Sequence, residues 1–174
     1  MDNKITHTDC SSLHIRTNYP ENLVEIFLCN NKNIPLFCIA LSLKYCSILS
    51  DFLIRNIEES GYEDEIWFDV EKQLVEAGLL KSARIYFRII HPEDSDLVAF
   101  GVLVQFSYKT KIIEGFSFEK HDMSNDEIYE FVKLVTPEYI RSTKNKMLTH
   151  KKATDYLVIN GDGPFYKIWL QKAV

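Results

Sequence analysis

The sequence has no apolar run long enough to cross a bilayer. Its longest, Ile34 to Leu43, falls well short of the ~20 residues a spanning helix needs and contains Pro35. The opening stretch MDNKITHTDCSS is polar, so it lacks the apolar centre of a secretory leader. Together these absences predict a cytoplasmic protein that does not enter a membrane. No CxxC pair is present. Cys10, Cys29, Cys38 and Cys46 are scattered, three of them in apolar contexts, which predicts reduced, buried thiols rather than a disulfide framework. His7, His14, His91, His121 and His150 make no HExxH, and Cys10 and His14 have no neighbouring ligands, so no metal and no cofactor is expected. Gly161-Asp162-Gly163 lacks the lysine and the helix of a phosphate loop and reads as a turn. A basic balance is missing too. The net charge is −5, which disfavours direct nucleic-acid binding. Internal repeats, low-complexity tracts and long linkers are absent.

What is present begins with apolar mass. Of 174 residues 46% are hydrophobic, enough for a substantial core, and the length suits one domain over residues 1–174 with residues 1–12 frayed. The chain is organised around Ala83 to Lys120, which reads as a three-stranded meander. Ile85, Phe87 and Ile89 alternate with Arg84, Tyr86 and Arg88, the pattern of a strand with one face on a core and one face wet. After the loop residues His91 to Asp96, Val98, Phe100, Val102, Val104, Phe106 and Tyr108 share one parity and Leu97, Ala99 and Leu103 the other, so both faces are fairly apolar and this run takes the central place. Lys109-Thr110-Lys111 makes a hairpin turn, and Ile112, Phe116 and Phe118 follow on one face. Gly115 marks a bulge or a close backbone approach.

On either side of the meander the readings are helices and hairpins. Leu23 to Cys29 and Ile34 to Leu41 are β-prone runs around Asn30-Asn31-Lys32-Asn33, a hairpin in preference to a helix from Glu21 to Asn30. Lys44 to Glu59 is an amphipathic helix. Val70 to Ala77 reads as a second, capped by Asp69 and stopped by Gly78. Ser124-Asn125-Asp126-Glu127 is a capping box that starts a third, and Pro137 opens a fourth segment towards Leu148. Asp155 to Asn160 and Phe165 to Leu170 form a C-terminal hairpin that extends the sheet. The expected fold is therefore α+β: a mainly antiparallel sheet built on the meander plus the C-terminal hairpin, covered by three to four helices.

Candidate chemistry is sparse. Glu93, Asp94 and Asp96 share a loop without the spacing of a calcium site. His121 beside Asp122 has the makings of an acid and its orienting carboxylate, but a helix-leading loop explains the pair as well. Cys38 and Cys46 lie in apolar runs, which favours packing over nucleophilic use. Gln73 to Leu80 followed by Arg84 to Ile90 has the order of a helix and wing, yet the helix is acidic where DNA recognition wants a basic one. Charge blocks carry more. Arg141 to Lys152 is basic. The segment from Asp51 to Glu76 is acidic, with only Arg55 and Lys72 opposing it in sequence, and Tyr62 and Trp67 lie inside it. Acids interleaved with aromatic anchors suit a docking surface for a cationic protein, because complementary fields speed encounter and exclude wrong partners. The candidate binding residues are Glu58, Glu59, Tyr62, Glu63, Asp64, Glu65, Trp67, Asp69 and Glu71. With no catalytic signature, the sequence points to a non-catalytic binding module, in its sharpest form an immunity or antitoxin protein that covers a basic nuclease toxin. The rival readings are a ligand binder or enzyme with an apolar pocket between sheet and helices, and a small acidic secretion chaperone.

Overall fold

The structure, a computed structural model, describes residues 6–18, 23–58, 61–71, 82–93, 95–108, 111–138, 140 and 156–162. In chain order the elements are β1 (Thr6–Asp9), β2 (Ser12–Asn18), β3 (Leu23–Cys29), β4 (Pro35–Ser42), α1 (Leu43–Glu58), β5 (Tyr62–Glu71), β6 (Ser82–His91), β7 (Leu97–Tyr108), β8 (Lys111–Ser124), α2 (Asn125–Val135) and β9 (Tyr156–Asn160). Neither helix is long and apolar enough to cross a membrane.

Alternation decides most of this. β6, β7 and β8 are the expected antiparallel meander, with Ile85, Phe87, Ile89, Val98, Phe100, Val102, Val104, Phe116 and Phe118 all buried on one face. β7 is the middle strand of a five-stranded sheet in the order β1-β8-β7-β6-β5. β5 extends the meander antiparallel to β6, and β1 lies parallel to β8, pairing Thr6 with Glu114 and Asp9 with Ser117. Gly115 keeps regular register with Gln105 and His7. The irregularities of the β7–β8 ladder fall between Val98 and Phe100 and between Phe106 and Ser107.

The expectation of one sheet under three to four helices is overturned. Two sheets and two helices stand among the described residues. The second sheet has the order β4-β3-β2-β9, all antiparallel. Its β3–β4 hairpin is the one the asparagines predict. Asn30 Oδ1 accepts from the amides of Lys32 and Ile34, and Asn33 takes the left-handed conformation with φ 59°. The second predicted helix begins where β5 ends, since Val70 and Glu71 pair with Ala83 and Ser82. The rest of it lies outside the described residues. Of the C-terminal hairpin, β9 joins β2 in the smaller sheet rather than extending the meander, and Phe165 to Leu170 lies outside the described residues. The Ile140 amide donates to the Thr136 carbonyl, one turn of the fourth segment.

The core lies between the sheets. Leu13, Ile15, Val24, Ile26, Leu28, Phe37, Ile39 and Leu41 line the inner face of the smaller sheet, and one cluster of buried residues joins them to the meander's apolar face. Phe37 stacks on Phe116 across the gap, with ring centroids 5.9 Å apart. Both helices touch both sheets and each other. α1 turns Cys46, Leu49, Phe52, Leu53 and Ile57 inwards. α2 begins at the capping box, where Ser124 Oγ accepts from the Glu127 amide, and sends Phe131 against Phe100 at 5.7 Å.

Candidate functional site

The acidic segment becomes β5, an edge strand. Its alternation sorts the candidate residues. Phe68 is buried and Ile66 packs on the core, so their parity faces inwards. Glu63, Glu65, Trp67 and Asp69 take the other parity and share the outward face of one strand. Trp67 keeps 49% of its surface exposed, which is uncommon for an indole and marks a surface available to a partner.

The arginines of β6 meet this face. In register, Glu65 lies opposite Arg88 and Asp69 opposite Arg84. Arg84 Nε donates to Asp69 Oδ1 at 3.0 Å, and the Arg84 guanidinium lies over the Trp67 ring, 4.5 Å from its centroid. Hydrogen bonds to Tyr86 and to Asp69 hold Arg84 above its ordinary pKa. Arg88 pairs with Glu63, and Arg55 of α1 pairs with Asp64. The expected wet face of β6 thus divides. Arg84 is open, whereas Arg88 is 1% exposed.

The remaining candidates are placed as follows. Glu58 is exposed at the end of α1. Glu59 lies outside the described residues, as do the side chains of Tyr62 and Glu71. The structure therefore gathers Glu63, Glu65, Trp67 and Asp69 on one face and puts Asp64 on the opposite parity. Sequence reasoning missed Arg84 and Arg88 as members of this edge. The signal was their two-residue alternation on the strand that follows.

Elsewhere, Ser12 and His14 share the outer face of β2. Ser12 Oγ and His14 Nε2 are 2.9 Å apart, and Tyr156 of β9 meets His14 Nδ1. A nucleophile, a base and a third group stand in line, but Ser12 is 2% and His14 7% exposed, and among the described residues no carboxylate backs the imidazole. The trio ties β9 to β2. His121 is on β8 and faces Glu119 at 3.3 Å, while Asp122 is exposed and does not orient it. Burial pushes the Cys46 thiol up to about 12 and the Cys38 thiol up to about 11. Among the described residues no three His, Cys, Asp or Glu side chains are grouped to hold a metal ion.

The chain matches no protein-family model, no curated protein and no solved structure. The functional reading therefore stands on the geometry of the edge.

Proposed function

We propose that the chain is a non-catalytic protein-binding module that docks a cationic protein on the outward face of β5. The observation that carries this reading is the convergence of Glu63, Glu65, Asp69 and the half-exposed Trp67 on one face of an edge strand. Arg84 already lies against Trp67 and Asp69, so the same surface has the chemistry to take a partner's guanidinium. Among the described residues no strand pairs with the outer side of β5, and a partner strand added there would use its backbone as well. The sharpest form of the proposal is an immunity or antitoxin protein covering the cationic cleft of a nuclease toxin.

The test is calorimetric titration against the product of the neighbouring gene. Trp67→Ala, and separately Glu63→Gln with Glu65→Gln, are expected to weaken binding at least tenfold, about 1.4 kcal/mol each. Affinity should also fall as salt rises. A neighbour that is not a basic protein, or binding indifferent to both changes, overturns the proposal.

A further inference from the structure

The longest apolar run of the chain, Ile34 to Leu43, forms β4, which among the described residues is an outermost strand of the smaller sheet. No charged residue falls between Lys32 and Lys44. In an antiparallel ladder every second residue of an edge strand turns its amide and carbonyl away from the neighbouring strand. On β4 these groups point away from β3, and among the described residues no strand meets them. The side is open to solvent. Ile34 is 52% and Leu36 37% exposed, Pro35 and Ser42 are exposed, and Cys38 and Ala40 are half-buried.

β5, an outermost strand of the larger sheet, is the contrast. Five of its ten residues are acids: Glu63, Asp64, Glu65, Asp69 and Glu71. Charge on an edge strand guards it against a second copy, because like charges would then face each other across the ladder. β5 has that guard and β4 does not. Pro35 lacks an amide proton, but it stands at the first residue of β4 and leaves Leu36 to Ser42 for a ladder.

The same neutrality selects the occupant. A charged partner finds no opposite charge on β4, whereas a neutral strand meets no repulsion. A second β4 is such a strand. Antiparallel pairing about a two-fold axis also makes an edge complementary to itself, since residue i of one copy meets residue j of the other and j meets i. We propose that two copies of this chain pair through β4 and join their smaller sheets into one continuous antiparallel sheet. The axis passes through Ile39, the middle of Leu36 to Ser42. Leu36 then faces Ser42 of the second copy, Phe37 faces Leu41, and Cys38 faces Ala40. This register keeps parity, so the buried Phe37, Ile39 and Leu41 stay on the core side in both copies. Pairing covers the β4 edge of each copy, so assembly through it stops at two. It lies on the other sheet from the docking strand and is independent of what β5 binds.

Sedimentation equilibrium of the full chain tests the pairing. At about 100 µM, where a micromolar complex is formed, the mass should be that of two chains. Leu36→Lys with Ser42→Lys changes two exposed positions and sets lysine against lysine at both ends of the ladder. It should raise the dimer dissociation constant at least about tenfold. Leu36→Glu with Ser42→Glu should do the same alone, and mixing the two variant chains should restore a dimer. A single-chain mass for the wild type, an assembly larger than two, a dimer indifferent to the lysines, or a mixture that stays monomeric overturns the proposal. If the variants do not fold, amide hydrogen exchange of the wild type decides. The β4 amides should exchange at least ~10-fold more slowly at about 100 µM than at about 0.1 µM, and exchange at β4 that ignores concentration overturns the pairing.

Discussion

At Cys10 and Cys46 a buried thiol is the form the fold selects. Desolvation pushes both up to about 12 from a value of 9.0. Between those values the folded chain keeps protons that the unfolded chain releases, so stability falls as pH rises from about 9. The thiolate is the reactive form. Native protein at mildly alkaline pH should therefore be alkylated by iodoacetamide at least ~10-fold more slowly at these two cysteines than urea-unfolded protein, as read by peptide mass mapping. Equal rates in the two states would refute the assignment. The burial of Cys46 was legible in sequence, because its apolar context is local, whereas Cys10 lies in the polar stretch expected to fray. The burial of Arg88 was not legible either. Arg88 is in register with Gly101, and Gly101 with Glu119. The two charged side chains thus flank one glycine, each 1% exposed. That juxtaposition is made by three strands together, and no window of sequence contains it.

Among elements, those with a strong period were legible and those whose partner decides them were not. The meander, the β3–β4 hairpin, α1 and the capping box of α2 all follow from local pattern. β5 does not. Asp69 before Val70 has the look of a helix cap, yet pairing with β6 continues the strand through Glu71. A ladder with a well-formed neighbour outweighs a short helical stretch, for which nucleation is costly. β9 shows the same dependence. Its strand was legible, but its docking was not. The Gly161 amide donates to the Ser11 carbonyl, and the Asp162 amide donates to the Glu119 carbonyl. A Cβ at Gly161 would lie 2.9 Å from that Glu119 carbonyl oxygen and 2.8 Å from the Phe118 ring. The backbone cannot yield cheaply, so Gly161→Ala should cost about 1–3 kcal/mol in urea unfolding. A cost below ~0.5 kcal/mol, the range of ordinary surface changes, would show that this approach relaxes freely.

At the scale of the molecule, the sequence marks most strands but not which strands share a sheet. Hydrophobic alternation is identical for a strand of either sheet, and the choice is made by contacts between distant segments. β1 is the clearest instance. Its residues, expected to fray, lie parallel to β8 more than a hundred residues away, with the Cys10 amide donating to the Ser117 carbonyl at 2.7 Å and Ser117 Oγ donating to Asp9 at 2.9 Å. No short turn can join parallel neighbours, so local sequence leaves no mark of the pairing. It also covers one side of β8, so that among the described residues β5 is the other outermost strand of the larger sheet. An uncovered strand edge is a template for another chain. Removal of residues 1–9 should therefore do two things. It should lower stability by about 1–3 kcal/mol, from a few ladder hydrogen bonds at ~1 kcal/mol each, and it should promote self-association through the uncovered edge of β8. Denaturant unfolding and light scattering of the shortened chain check the two together. Unchanged stability with no added association would mean that β1 neither supports the sheet nor guards its edge.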